Sequence, residues 1–127
     1  MDDDLRYSTD HCWGAERAGS ITVGVTPYLV SRANGDLRCH LPAVGDTLTL
    51  AQPFGALEAT KLTVDLYAPC EGTVTDVNAA VLEDASLLRR DPWEAGWMLR
   101  VRGRLPPLLT AAAYRARFAG ASTWKAS

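Results

Sequence analysis

From Thr47 to Val77 apolar and polar residues alternate in short runs, and glycine or proline closes each run before it can lengthen. An alternation of period two puts one set of side chains on each face of a strand. Breaks this frequent suit the edges and corners of a folded sheet better than its centre. "AVGD" turns the chain into "TLTL", and "PFGALE" leads to Lys61. Beyond it Leu62, Val64 and Leu66 face one way while Thr63, Asp65 and Tyr67 face the other. Pro69 and Gly72 punctuate the path into "GTVTDVN".

The flanking segments extend this pattern. Ile21, Val23 and Val25 alternate with Thr22, Gly24 and Thr26, as in a half-buried strand. "TPYLVSRANG" reads as a short helix, with Thr26 as cap, Pro27 at the first helical position and Asn34-Gly35 as a left-handed exit. Leu37 to Leu41 predicts a strand ended by Pro42, and Trp97, Leu99 and Val101 predict the inner face of a last one. Within "LPPLLTAAAYRARF", Thr110 caps a closing helix whose Ala111, Tyr114 and Phe118 share a face. "VGDTLTL" and "EGTVTDV" echo each other, as two similar strand units packed face to face would. The expected class is mainly β, a sandwich or barrel with helices at its flanks. The 127 residues are the size of one domain and carry no Gly, Ser or Pro linker, so residues 1–127 are read as a single unit.

Charge and composition exclude several functions. Thirteen Lys and Arg face fifteen Asp and Glu, a net charge of -2, so no global positive field draws the chain to nucleic acid or anionic lipid. The arginines gather late, from Arg89 to Arg117, as a solvated edge or a face for an acidic partner. No apolar run approaches the roughly 20 residues of a membrane helix. The opening "MDDDLRYS" is acidic where a signal peptide is basic, so a cytoplasmic place is expected. Cys12, Cys39 and Cys70 are odd in number and form no CxxC, which suggests neither a disulfide framework nor a zinc site.

Catalytic constellations are equally absent from the pattern. His11-Cys12 and Cys39-His40 are adjacent pairs, and adjacent residues on a strand point to opposite faces, away from mutual proton transfer. Glu83-Asp84 sit near a turn as surface acids rather than an acid-base dyad. No glycine-rich loop opens a helix to cradle phosphate. Lys61 is what remains. It is the one basic residue between Asp46 and Leu88, held between Glu58 and Asp65 at the expected tip of a hairpin. A long, flexible, exposed stem there is open to an acylating enzyme, though ordinary turn lysines look the same locally. "EATK" lacks Gly, Asn and Pro and calls for a type I turn.

"EATKLTVDLYAPCEGTV" resembles the segment around the modified lysine of biotinyl and lipoyl carrier domains. Glu58 three residues before Lys61, Asp65 four after and Gly72 eleven after match that pattern. Thr60 and Leu62 stand where biotin carriers have methionines, which favours lipoyl over biotin. "YSTDHCWG", "GSITVGVTPYLV", "GDLRCHLPAVGDTL", "NAAVLEDASLLRRDPWEAGWMLRV" and "LLTAAAYRARF" resemble, in order, the glycine cleavage system H proteins. The resemblance runs from about Leu5 to Phe118.

It implies a lipoyl-domain-like barrel-sandwich hybrid and a monomeric carrier rather than an enzyme. Lipoic acid would be joined by an amide to Lys61, with Glu58, Asp65 and Gly72 read by a lipoate ligase or a lipoyl or octanoyl transferase. The arm would carry an aminomethyl group from glycine decarboxylase to the aminomethyltransferase and be reoxidised by lipoamide dehydrogenase. The resemblance also leaves room for an H-like lipoyl carrier of another system, such as sulfur oxidation, or for a biotin carrier. Cys70, after Pro69 at a turn, is placed to meet the lipoyl dithiol if exposed. The chain departs from the family at Cys12 (usually Glu), Leu62 (Val or Ala), Glu94 (Gly) and Pro27 (acidic), and by bringing Arg38 and His40 into a strand.

Overall fold

The computed structural model describes residues 5–118. Two antiparallel sheets share one apolar core. The larger contains β1 (Arg6–Tyr7), β2 (Cys12–Arg17) and β3 (Ser20–Val25). After α1 (Pro27–Val30) comes β4 (Arg38–His40) of the smaller sheet, and β5 (Thr47–Leu48) returns to the larger. β6 (Pro53–Glu58) and β7 (Thr63–Tyr67) complete the smaller sheet in the order β4-β6-β7. The chain then runs through β8 (Glu71–Val77), α2 (Ala79–Glu83), α3 (Leu87–Arg90), β9 (Leu99–Arg104) and α4 (Ala111–Arg117). The larger sheet has the order β1-β2-β3-β9-β8-β5, so β9 is the strand that joins β3 to β8.

The alternation of the sequence is the alternation of the sheets. Ile21 pairs with Val101, which pairs with Val74, and all three point inward with Val23 and Leu99. From the smaller sheet Cys39, Leu57 and Leu66 meet them, the two leucines fully buried. Each such leucine contributes about 1.5–3 kcal/mol of transfer free energy. Gly72 pairs with Gly103 across β8 and β9; a Cβ on Gly72 would sit 2.8 Å from the Gly103 Cα. Only glycine allows this approach, and with φ at 148° Gly72 also holds a conformation other residues avoid.

A second cluster covers one end of the larger sheet's outer face. Trp13 lies over Gly24, and its indole N–H donates to the Pro92 carbonyl at 3.2 Å. Tyr7 stacks on Tyr114 of α4 with ring centroids 5.1 Å apart, and Trp93 and Trp97 pack beside them. These tryptophans are packing aromatics, as large amphipathic rings in small folds generally are.

Several expectations are corrected here. Trp97 precedes β9 and joins this aromatic cluster, while Met98 takes the inward position beside Leu99. The echoed segments do not face each other: β5 and β8 are hydrogen-bonded neighbours in one sheet, with Thr47 opposite Thr73. Thr26 stands at the N-cap of α1 as expected, but its side chain makes no cap hydrogen bond, and its buried hydroxyl bonds to the Tyr114 phenol at 2.9 Å instead. "LPPLL" stays extended, pairing Leu109 with Tyr7; α4 starts only after Thr110, whose hydroxyl accepts from the Ala113 N–H as expected. The helices α2 and α3 were not anticipated, although Asn78, which caps α2 by accepting from the Ala80 N–H, is a sequence signal for the first.

Candidate functional site

β6 and β7 form a hairpin whose last register pair is Glu58 and Thr63. Beyond it the Ala59 N–H donates to the Leu62 carbonyl at 2.8 Å, leaving Thr60 and Lys61 at the tip. Neither tip residue has a positive φ, so the turn is of the unprimed kind that accepts residues other than Gly and Asn. Lys61 is exposed. Among the described residues no carboxylate holds it in an ion pair, and its only fellow lysine, Lys125, lies outside them.

The tip does not project unsupported. The chain leaving α1 turns at Asn34-Gly35, and the Thr60 N–H reaches the Asn34 carbonyl at 3.4 Å. Gly35 has φ of 87°, and a Cβ there would collide with the Thr60 side chain. Arg89 of α3 bonds to the Ala33 carbonyl and fixes the start of the same turn. The Asn34-Gly35 exit read from the sequence thus also props the lysine hairpin.

Glu58 and Asp65 flank the tip on one exposed face, because Glu58 stands opposite Thr63 and Ala56 opposite Asp65. Glu58 is engaged: its Oε1 lies 2.8 Å from His40 Nε2. That hydrogen bond, with the charges of His40 and Arg38, holds its carboxyl below the usual glutamate range. Gly72 is placed elsewhere, in the other sheet between Leu48 and Gly103.

Beside the hairpin, between the edge of β7 and the loop before β2, lies a cleft of about 480 Å³. Leu62 and Asp65 form one wall, and Asp10, His11 and Arg32 form the other. Leu62 is 46% exposed, a large apolar side chain left open next to the lysine. His11 has φ of 70°, a costly conformation for a residue other than glycine. Its ring lies between Tyr28 and Phe118, at 4.3 and 4.6 Å between centroids, and its Nδ1 shares a 2.7 Å hydrogen bond with the Tyr114 phenol. Burial lowers its pKa to about 4, with Arg32 adding to the shift and Asp10 opposing it. The sequence did not mark this wall: there His11 figures as a neighbour of Cys12 and within the "YSTDHCWG" stretch.

The cysteines are far less available than the turn at Pro69 suggested. Cys12 and Cys70 are fully buried and Cys39 nearly so. Loss of solvent pushes the Cys39 and Cys70 thiols up to about 12, and that of Cys12 higher still. Cys70 therefore cannot meet a dithiol without unfolding. Of the late arginines, Arg90 pairs with Asp84 at 2.8 Å, and Arg100 lies over the Trp97 ring at 4.2 Å. Among the described residues no helix is long and apolar enough to cross a membrane.

The site is thus an exposed lysine at the tip of a braced hairpin of the smaller sheet, beside a cleft. The family profile of the glycine cleavage H-protein matches residues 5–116. The glycine cleavage system H protein of Streptomyces coelicolor is 44% identical over 121 residues, 92% of this chain and 95% of that one. That of Thermosynechococcus vestitus is 37% identical, covering 93% and 94% of the two chains. The crystal structure of the H protein from Mycobacterium marinum superposes with a TM-score of 0.84 at 35% identity, over 92% of this chain and 98% of that one. The chain belongs to the glycine cleavage H-protein family, the non-catalytic lipoyl carriers of glycine cleavage.

Proposed function

We propose that Lys61 is the residue that bears lipoic acid, and that the chain shuttles between glycine decarboxylase, the aminomethyltransferase and lipoamide dehydrogenase. The observation that carries this reading is the placement of Lys61 at the tip of a braced hairpin, exposed and, among the described residues, free of ion pairing. Its Nζ can attack an activated lipoyl carbonyl; the amide forms, the activating group leaves with the bonding electron pair, and the amine proton passes to solvent. Glu58, Asp65 and Gly72 are proposed to be read by the acylating enzyme, Gly72 through the strand geometry it permits. When bound, lipoic acid supplies a dithiolane whose opening takes up the one-carbon unit and two electrons.

The remaining work belongs to side chains of this protein. Leu62 offers an apolar surface at the root of the arm, and the cleft beside it offers shelter from water. Asp10 and Asp65 present carboxylates in that cleft to an amine-bearing cargo, and Arg32 limits how much positive charge it accepts. Tethering makes each transfer a local encounter at high effective concentration, which favours a small rigid body with one mobile arm. The buried, unpaired thiols suit a reducing, cytoplasmic setting.

Intact mass of the natively produced chain, with peptide assignment, tests the attachment, and loading by purified glycine decarboxylase tests the system served. A lipoyl mass on Lys61 and uptake of the glycine-derived unit are expected. A biotinyl mass, or a bare Lys61 where the cell's other carriers are fully lipoylated, sinks the attachment. A fully lipoylated chain that glycine decarboxylase fails to load belongs to another lipoyl system.

A further inference from the structure

The late arginines divide by what they face. Arg89 and Arg90 of α3 are used within the fold, on the Ala33 carbonyl and on Asp84. Arg100, Arg102 and Arg104 of β9 alternate with the inward-facing Leu99 and Val101, so they stand on the outer face of the larger sheet. The aromatic cluster covers one end of that face, and Arg100 lies at its margin, over the Trp97 ring.

Beyond this margin the face is open. Arg17 is opposite Ser20, Ser20 opposite Arg102, Arg102 opposite Thr73, and Thr73 opposite Thr47. Directly opposed residues in antiparallel strands share a face. One row therefore crosses β2, β3, β9, β8 and β5, and every residue in it is exposed. Arg100 faces Asp76 across the ladder and Arg104 faces Glu71, whereas the cross-strand neighbours of Arg17 and Arg102 carry only hydroxyls. Among the described residues neither Arg17 nor Arg102 is in an ion pair.

Two unneutralised guanidiniums above short hydroxyl side chains offer planar forks that match carboxylates. The chemistry of the row selects among anionic partners. A membrane surface needs apolar side chains to insert, and the exposed large ones, Val44, Leu50, Leu62 and Leu82, lie outside the row. A net charge of -2 gives the chain no long-range draw to a nucleic acid. A second copy binding here through its own acids would make a head-to-tail contact, which builds rings or filaments rather than a small shuttling body. An acidic protein surface fits best. The row also lies across the core from the lysine: the inward residues of the larger sheet pack on Leu57 and Leu66 of the smaller one, which bears the hairpin.

We propose that Arg17 and Arg102 form a docking row for an acidic surface of a glycine cleavage partner, which holds the carrier from the side away from Lys61 and leaves the arm free to move. This rests on the shuttle reading given above and adds a contact separate from the hairpin.

The lipoylated chain and its Arg17→Gln, Arg102→Gln double variant are compared as substrates of purified glycine decarboxylase, aminomethyltransferase and lipoamide dehydrogenase at low and high salt. With at least one enzyme the double variant is expected to raise KM for the carrier about tenfold at low salt with kcat held, and the gap to narrow at high salt. Arg17→Lys with Arg102→Lys should recover most of the loss, because the charge remains. Equal melting temperatures and equal modification by a lipoate ligase show that fold and hairpin are intact. The proposal is overturned if KM and its salt dependence are unchanged with all three enzymes. It is also overturned if the natural chain, but not the double variant, binds duplex DNA or phosphatidylserine vesicles or associates with itself. A natural chain that is lipoylated yet served by none of the three enzymes removes the glycine cleavage reading instead, and this inference with it.

Discussion

The side chain of Thr60 fills the space that any side chain at Gly35 would need. Two turns far apart in sequence, one leaving α1 and one presenting Lys61, are thereby fitted to each other. Gly35→Ala would add a clash to the strain of φ at 87°. We expect a loss of about 1–3 kcal/mol in thermal unfolding, together with slower lipoylation because the tip must shift. A variant that melts and is modified like the natural chain would show that the two turns are independent.

Lys61→Arg keeps the positive charge on an exposed side chain but cannot form the same amide. Its melting temperature should match the natural chain within about 2 °C, since substitutions at such surface sites stay near ±0.5 kcal/mol. Lipoyl incorporation, read by intact mass, should be abolished. Residual lipoylation of the variant would place the group on Lys125 or the amino terminus.

His11 makes stability depend on pH in a defined window. Its folded pKa of about 4 lies below the ordinary 6.5. The unfolded chain therefore binds more protons between these values, and stability falls as pH drops from about 6.5 to about 4. The carboxylates Glu58 and Asp84, also shifted down, lose their contribution at lower pH and can be told apart. Replacing His11 with Gln should flatten denaturant midpoints across the upper window alone. A midpoint that still falls there would assign the dependence to other groups.

Leu66 is fully buried where the smaller sheet meets the shared core. Leu66→Ala should cost about 2–5 kcal/mol, the usual range when a buried leucine leaves a cavity. Urea unfolding checks it, and a cost below about 1 kcal/mol would mean the two sheets collapse to fill the space.

The strands and the hairpin were legible because period-two alternation is a local signal, and the Leu62-to-Tyr67 pattern needs no knowledge of what packs against it. The hairpin-tip position of Lys61 was legible from the alternating runs on either side of it. What stayed hidden depends on contacts between distant segments. Asp10, His11 and Arg32 form a wall only once the loop before β2 meets the end of α1, and nothing local marks them. Trp97 was misplaced because its alternation with Leu99 starts two residues before the strand, and the aromatic cluster claims it. Cys70 looked accessible beside Pro69, but the core encloses both. The echo between "VGDTLTL" and "EGTVTDV" signalled kinship of two strands without indicating that they lie side by side.

β3 and β8 never touch in the ladder; β9, made of residues 99–104, lies between them. During synthesis the lysine hairpin thus leaves the ribosome well before the strand that closes the larger sheet. A chain stopped short of Leu99 would display Lys61 on a body with two open edges.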